Sequence, residues 1–328
     1  MLTDYWVIAQ LVAQTCGLFL MLGASSIAGR MLRNWNPESA SAGQLRLERQ
    51  SYLVDTMVRS VLFFQVLSLV LFLFTVNTHF TQLIEGAMCA TGTLTINDYG
   101  YPTLYLKAGS VFLYLSFLFI HYLDSREPEL PLTPFKYIFI FPITVLVGVD
   151  LYLFIQYVRL IDPDIIATCC SVSVLLNERA DGGFLNTGAY TGYSVVGFIN
   201  LFFVVAYLLF FSKKRRFLLL LLTLLYVGVA VYSLKFFFVK YIYGLPSHTC
   251  LFDLFFAQHH FVGFALFGSY YGLLGSVLGL FWVRFFRPLL KHPSDRFVRR
   301  LRYLSLFFLL LSFLIPVAYR IAWGSAVL

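Results

Sequence analysis

The apolar runs leave this chain little choice of fold. Stretches such as Val61 to Phe74 and Phe217 to Leu225 contain no charged residue, and about 20 apolar residues coiled as a helix cover the ~30 Å hydrocarbon core of a bilayer. Lipid cannot satisfy an unpaired peptide group, so such a run crosses as a helix or as one strand of a closed barrel. Barrel strands alternate apolar and polar residues over ~10 positions; these runs do not alternate. Helices are expected at 5–29, 52–76, 103–123, 137–157, 189–211, 217–239, 255–283 and 303–323. The fold class is therefore all-α, a polytopic transmembrane bundle of eight spans, with residues 1–328 as a single integral-membrane domain. Only 12% of the residues are charged, against about 25% in soluble domains. A soluble enzyme, a secreted disulfide scaffold and a disordered regulator are all excluded.

The bases set a direction. Seventeen of the 24 Lys and Arg residues fall in 30–51, 124–136, 212–216 and 284–302, and loops rich in these residues stay in the cytoplasm. The connections 77–102, 158–188 and 240–254, with both termini, then lie outside. The net charge of +8 is thus topogenic and implies no nucleic-acid partner. The seven-base loop Arg284 to Arg302 suits anionic lipid, or the docking of a cytoplasmic ATPase subunit, since the chain has no phosphate-binding Gly-x4-Gly-Lys motif of its own. No Asn-x-Ser/Thr sequon occurs, which leans toward a bacterial inner membrane. No clear sequence repeat appears, although each outside connection carries cysteine.

Four of the five cysteines, Cys89, Cys169, Cys170 and Cys250, lie in those outside connections, where an oxidising compartment permits disulfides. Three chemistries fit. Two disulfides can staple loops that lack a core, with Cys169 and Cys170 each bonded elsewhere because a bond between neighbours is strained. A cysteine pair can instead exchange electrons with a periplasmic redox protein or a membrane quinone. Finally, His248 and Cys250, completed by another outside cysteine, supply soft ligands for Zn or Cu. Among the histidines, His79, His248, His259 and His260 allow at most a single outer haem.

Intramembrane charges are candidates in their own right, because each costs a few kcal/mol unless paired or wet. Lys107, Asp150, Lys235, Asp253, Gln258, His259, His260 and Arg320 all fall toward the outer halves of their spans, which points to an outward-facing polar cavity. Asp150 is the deepest and too short to reach water, so it requires Lys107, Lys235 or Arg320 as partner. Each base alone can snorkel to the headgroups. Gln10, Gln14 and Asn200 are expected to bond between helices, Asp55 and Arg59 to pair along one helix face, and His121 to sit at the interface. Gly268, Gly272, Gly275 and Gly279 give the seventh span a face for close packing. Residues 85–89 are apolar enough to fold back over the bundle and hold Cys89, while Gly100 and Pro102 mark a tight re-entry.

The leading functional reading is a membrane component with an extracytoplasmic thiol, disulfide or metal site. A permease-type subunit with an outward polar cavity is the rival, and a non-catalytic scaffold the third reading.

Overall fold

The computed structural model describes residues 4–34, 42–127, 130–162, 189–211, 216–239, 242, 250–290 and 295–323. Every regular element among them is helical. Seven described helices are long and apolar enough to cross a membrane, and an eighth has the shorter apolar stretch Val196–Leu209. Large apolar side chains such as Phe19, Phe63, Phe198 and Phe202 stand exposed on the helices, as expected where lipid replaces water. The protein is a multi-pass membrane protein.

The chain divides into two units: Met1–Ala167 with Phe285–Pro293, and Thr168–Arg284 with Ser294–Leu328. Unit 1 contains α1 (Tyr5–Asn34), α2 (Ala42–Phe74), α3 (Phe80–Leu83), α4 (Ala90–Leu94), α5 (Gly100–Asp124) and α6 (Thr133–Arg159). Its four long helices pack around Met21, Ala24, Val58, Leu62, Phe117, Ile140 and Val147, all buried. Helix α2 starts well before the predicted span, inside the expected loop 30–51. At its other end it widens into a π-turn, Thr75–His79. A π-turn spoils the regular ladder, and hydroxyls mend it: Thr75 Oγ1 donates to the Leu71 carbonyl at 2.8 Å and Thr93 Oγ1 to that of Val76 at 2.9 Å.

Of residues 85–89, Ala87 and Cys89 are buried and Glu85, Gly86 and Met88 exposed. Cys89 is buried in extended backbone before α4, and its carbonyl accepts from the Gly92 amide. Helix α5 begins at Gly100, where a Cβ would lie 2.3 Å from the Leu94 carbonyl oxygen. Glycine is required there by space.

Unit 2 contains α7 (Ala189–Phe211), α8 (Arg216–Ser233), a π-turn Leu234–Phe238, short 3-10 turns at Phe252–Phe255 and Ala257–His259, α9 (Val262–Phe285) and α10 (Asp295–Trp323). The predicted helix from 255 starts later because His260 and Phe261 both adopt positive φ, 55° and 53°, a region costly for residues with a Cβ. The chain leaves it at Gly263, whose Cβ would come within 3.0 Å of the Leu254 backbone. Gly272 admits the Phe308 ring of α10 closer than a Cβ would allow, as the close-packing face predicts. The expected loop 284–302 is only partly a loop: α10 starts at Asp295, and Phe286 is buried with its ring 5.4 Å from that of Phe135.

The two units share one plan that the sequence hides. Each runs from a first long helix to a second ending in a π-turn, then through a buried cysteine (Cys89, Cys250), a short helical turn holding a leucine (Leu94, Leu254), and a glycine (Gly100, Gly263) set against that leucine's backbone. Two further long helices follow. In each, an amide side chain of the first helix donates to a hydroxyl at the head of the π-turn: Gln10 to Thr75 Oγ1 at 2.9 Å, Asn200 to Ser233 Oγ at 3.0 Å. Few side chains repeat, so the likeness is one of element order and of these fixed points.

Candidate functional site

The deepest charge of unit 1 finds a cation. Asp150 lies about two and a half turns inside the end of α6, and Lys107 about two turns past the start of α5. Lys107 Nζ donates to Asp150 Oδ2 at 2.7 Å and to Ser68 Oγ of α2 at 3.0 Å. From α1, Gln14 Nε2 donates to Ser68 Oγ at 3.0 Å and reaches Asp150 Oδ2 at 3.4 Å. Four helices thus converge on one ion pair, whose side chains are 2% and 4% exposed. Lys107 does not snorkel: its ammonium turns inward and is buried against Asp150 and Ser68. Phe72 and Phe154 place their rings under it at 5.8 and 5.7 Å and keep the site apolar on that side.

The site is rich in acceptors. Asp150 Oδ1, Gln14 Oε1 and Gln10 Oε1 are buried without a hydrogen-bond partner. An unpaired buried acceptor costs about 1–3 kcal/mol, so those of Asp150 and Gln14 beside the ion pair mark a place fit for a donor-bearing guest or water.

The other expected residues stand on other elements. Lys235 lies in the π-turn of unit 2, exposed, with its ammonium 5.3 Å from the Phe236 ring centre. His259 and His260 stand on a 3-10 turn and its left-handed exit, not on a helix, because the positive φ values end the regular coil. Gln258 is exposed, Asp253 is half-buried in the preceding turn, and the His260 ring faces Tyr319 edge-on at 6.5 Å. His79 pairs with Asp4 at 2.5 Å. Cys89 and Cys250 are buried, and there is no disulfide among the described residues. Cys169, Cys170, His248 and the Arg320 side chain lie outside those residues.

Sequence reasoning missed a second charged cluster, at the opposite end of the same four helices. Asp55 does not pair with the Arg59 side chain as expected; Arg59 Nε donates instead to the backbone carbonyl of Asp55. The Asp55 carboxylate receives Lys136 Nζ at 2.9 Å, and Lys136 also lies 3.3 Å from Asp124 Oδ2. Asp124 is fully buried and accepts from the Leu132 amide and Thr133 Oγ1, both at 2.8 Å. It thereby fixes the start of α6. His121 Nδ1 stands 3.4 Å from Asp55 Oδ2. The sequence puts His121 and Lys136 within a turn of the facing ends of two spans, but nothing in it joins them to Asp55 of α2.

No protein-family model, curated protein or solved structure matches the chain.

The unit 2 equivalent of the first site is uncharged. Asp150 stands as far into α6 as Ser312 into α10, and Ser68 as far before Thr75 as Tyr226 before Ser233. Lys107 follows Gly100 by the same interval as Tyr270 follows Gly263. In unit 2, Tyr226 and Ser312 share a hydrogen bond of 2.9 Å. The same plan therefore closes with a neutral bond where unit 1 buries a lysine and an aspartate.

Proposed function

We propose that the protein is a permease-type membrane component whose working site is the Lys107–Asp150 pair of unit 1. The observation that carries this is the uncharged counterpart in unit 2, where Ser312, Tyr226 and Tyr270 take the places of Asp150, Ser68 and Lys107 and Tyr226 bonds Ser312. A pair of buried ions often adds nothing to stability that apolar or neutral groups could not supply, and here the same fold supplies it without charge. Charges kept inside a membrane where the plan does not need them serve binding or movement. The unpartnered acceptors of Gln14 and Asp150 suit a small solute bearing N–H or O–H donors, or a cation. Repeats with irregular helix segments at matching places are the usual setting of transporter sites, and both π-turns stand at matching places. The base asymmetry supports residues 77–102, 158–188 and 240–254 on the outer face of a bacterial inner membrane.

The test is solid-supported membrane electrophysiology on proteoliposomes challenged with ammonium, amino acids and monosaccharides. A solute that gives a current in the wild type should give less than a tenth of it in Asp150→Asn. Ser312→Ala should keep the current. Equal currents in wild type and Asp150→Asn would sink the reading.

A second reading keeps the outside cysteines as a thiol redox or metal-handling site, supported by the burial of Cys89 and Cys250 in equivalent loop positions of the repeat. Its test is a maleimide labelling map of Cys89, Cys169, Cys170 and Cys250 before and after mild reductant. A redox pair changes its labelling, a structural thiol does not, and zinc protection would identify a metal site.

A further inference from the structure

The cluster at the far end of unit 1 has its charges out of balance. Asp55 and Asp124 bring two negative charges and Lys136 one positive charge, all with side chains at most 8% exposed. The remaining titratable group is His121. Its Nδ1 stands 3.4 Å from Asp55 Oδ2, yet neither Nδ1 nor Asp55 Oδ1 has a hydrogen-bond partner. A neutral ring either turns a bare nitrogen to the carboxylate, acceptor against acceptor, or turns its one N–H there and leaves the four groups at net −1. A proton on that nitrogen turns the contact into an N–H donor to Asp55 and brings the four groups to net zero. The ring is held for this role, stacked on Phe117 with a 3° interplanar angle. It is 17% exposed, so it can exchange with water at its own end.

We propose that Asp55, Asp124, Lys136 and His121 form a buried proton-binding site, with the His121 imidazole as acceptor and the proton drawn from water at that end. The site stands independently of the transport reading. Its surroundings are otherwise settled. From α6 come Lys136 and Tyr137, the lysine lying 5.0 Å from the tyrosine ring centre. The bases of α1 at this end, Arg30 and Arg33, are exposed, as is Arg126 beyond α5. Arg59 of α2 is bound to a backbone carbonyl, and Glu127 is buried and partnered. The buried layer of Met21, Val58, Phe117, Ile140 and Val147 separates this cluster from the Lys107–Asp150 pair, with ~20 Å of helix between them. The proton therefore belongs to this end and is not relayed along side chains to the other.

The experiment is nitrogen NMR of the full-length protein in nanodiscs with imidazole-labelled histidine, the His121 signal being assigned by its loss in His121→Asn. Asp55→Asn should weaken proton binding at His121 by about tenfold, because a carboxylate at this distance shifts such an equilibrium by at least that factor. Lys136→Gln should strengthen it, and the signal of exposed His260 should move in neither. If Asp55→Asn does not fold, Asp124→Asn takes its place with the same expected direction. A His121 signal that moves less than twofold in every variant overturns the proposal. So does sodium, at constant ionic strength, displacing the proton, since that makes the cluster a metal-cation site.

Discussion

Units 1 and 2 build the same plan with different interiors. Where unit 1 sets Lys107 against both Asp150, at 2.7 Å, and Ser68, unit 2 bonds the counterparts of Asp150 and Ser68, Ser312 and Tyr226, directly at 2.9 Å. A π-turn, a buried cysteine and a glycine pressed on a leucine backbone are common to both. What differs is charge, and charge is the costly choice in a membrane. The comparison separates what the fold requires from what it carries. Interhelical polar bonds and close glycine contacts belong to the frame, whereas the ion pair is an addition made in one copy.

The sharpest way to break this comparison is to remove one charge and then both. Asp150→Ala leaves a buried ammonium without its counter-ion and should lower stability by about 3–5 kcal/mol. Ser312→Ala, at the equivalent place, should cost about 1 kcal/mol. The double change Lys107→Met with Asp150→Leu should recover most of the loss while abolishing any solute current. Thermal unfolding in detergent reads all three. A double variant as unstable as Asp150→Ala would mean that the pair is part of the frame after all.

The glycine contacts test the likeness itself. Gly100→Ala must push a Cβ to 2.3 Å from a carbonyl oxygen, Gly263→Ala only to 3.0 Å from a carbonyl carbon. Overpacking against backbone costs about 1–3 kcal/mol, so Gly100→Ala should lie at the upper end and Gly263→Ala at the lower. If Gly263→Ala were neutral, the two contacts would not be equivalent supports.

Much of the frame could be read directly. Continuous apolar runs announced the helices, Gly100 and Pro102 the start of α5, and the depth of Asp150 its need for a cation. What escaped reading depends on pairing across helices. The Asp55 cluster draws one residue from α2, two from α5 and one from α6, and in sequence Lys136 looks like an ordinary loop base. Asp55 and Arg59, four apart on one helix, suggested a local pair that the bundle replaced with distant partners, because Lys136 offers Asp55 a buried ammonium and Arg59 faces outward. The likeness was hidden for a similar reason. Its fixed points are single residues, Cys, Leu and Gly, at intervals altered by one to three positions, while lipid-facing residues between them change freely. The ends of α9 were misplaced because nothing in His259, His260 and Phe261 announces positive φ.

Next in size are the amide bonds at the heads of the π-turns. Gln10→Ala and Asn200→Ala each remove an interhelical bond to a hydroxyl and should each cost about 1 kcal/mol. Similar losses support the equivalence of the two positions. A loss confined to Gln10→Ala would tie that residue to the acceptor-rich site of unit 1 instead.

The smallest expected effect concerns the entry to unit 1. Asp4 precedes α1, accepts from the amides of Trp6 and Val7 with Oδ1, and meets His79 of the π-turn with Oδ2 at 2.5 Å. Burial alone would raise the affinity of this carboxyl for its proton, but the bonds to His79 and the two amides outweigh that, and its pKa is held below the usual aspartate value of 3.8. A carboxyl depressed in the folded state adds stability above the unfolded value, and that stability is lost as the pH falls through the folded one. The contribution of Asp4 should therefore be complete above about pH 4 and fade below it. Asp4→Asn keeps an oxygen for the amides but loses the charge, so wild type and variant should differ slightly in unfolding temperature at pH 6 and converge toward pH 3. A gap that persists at pH 3 would show that the difference does not come from the charge of Asp4, and that the π-turn of unit 1, like that of unit 2, is held without an ion pair.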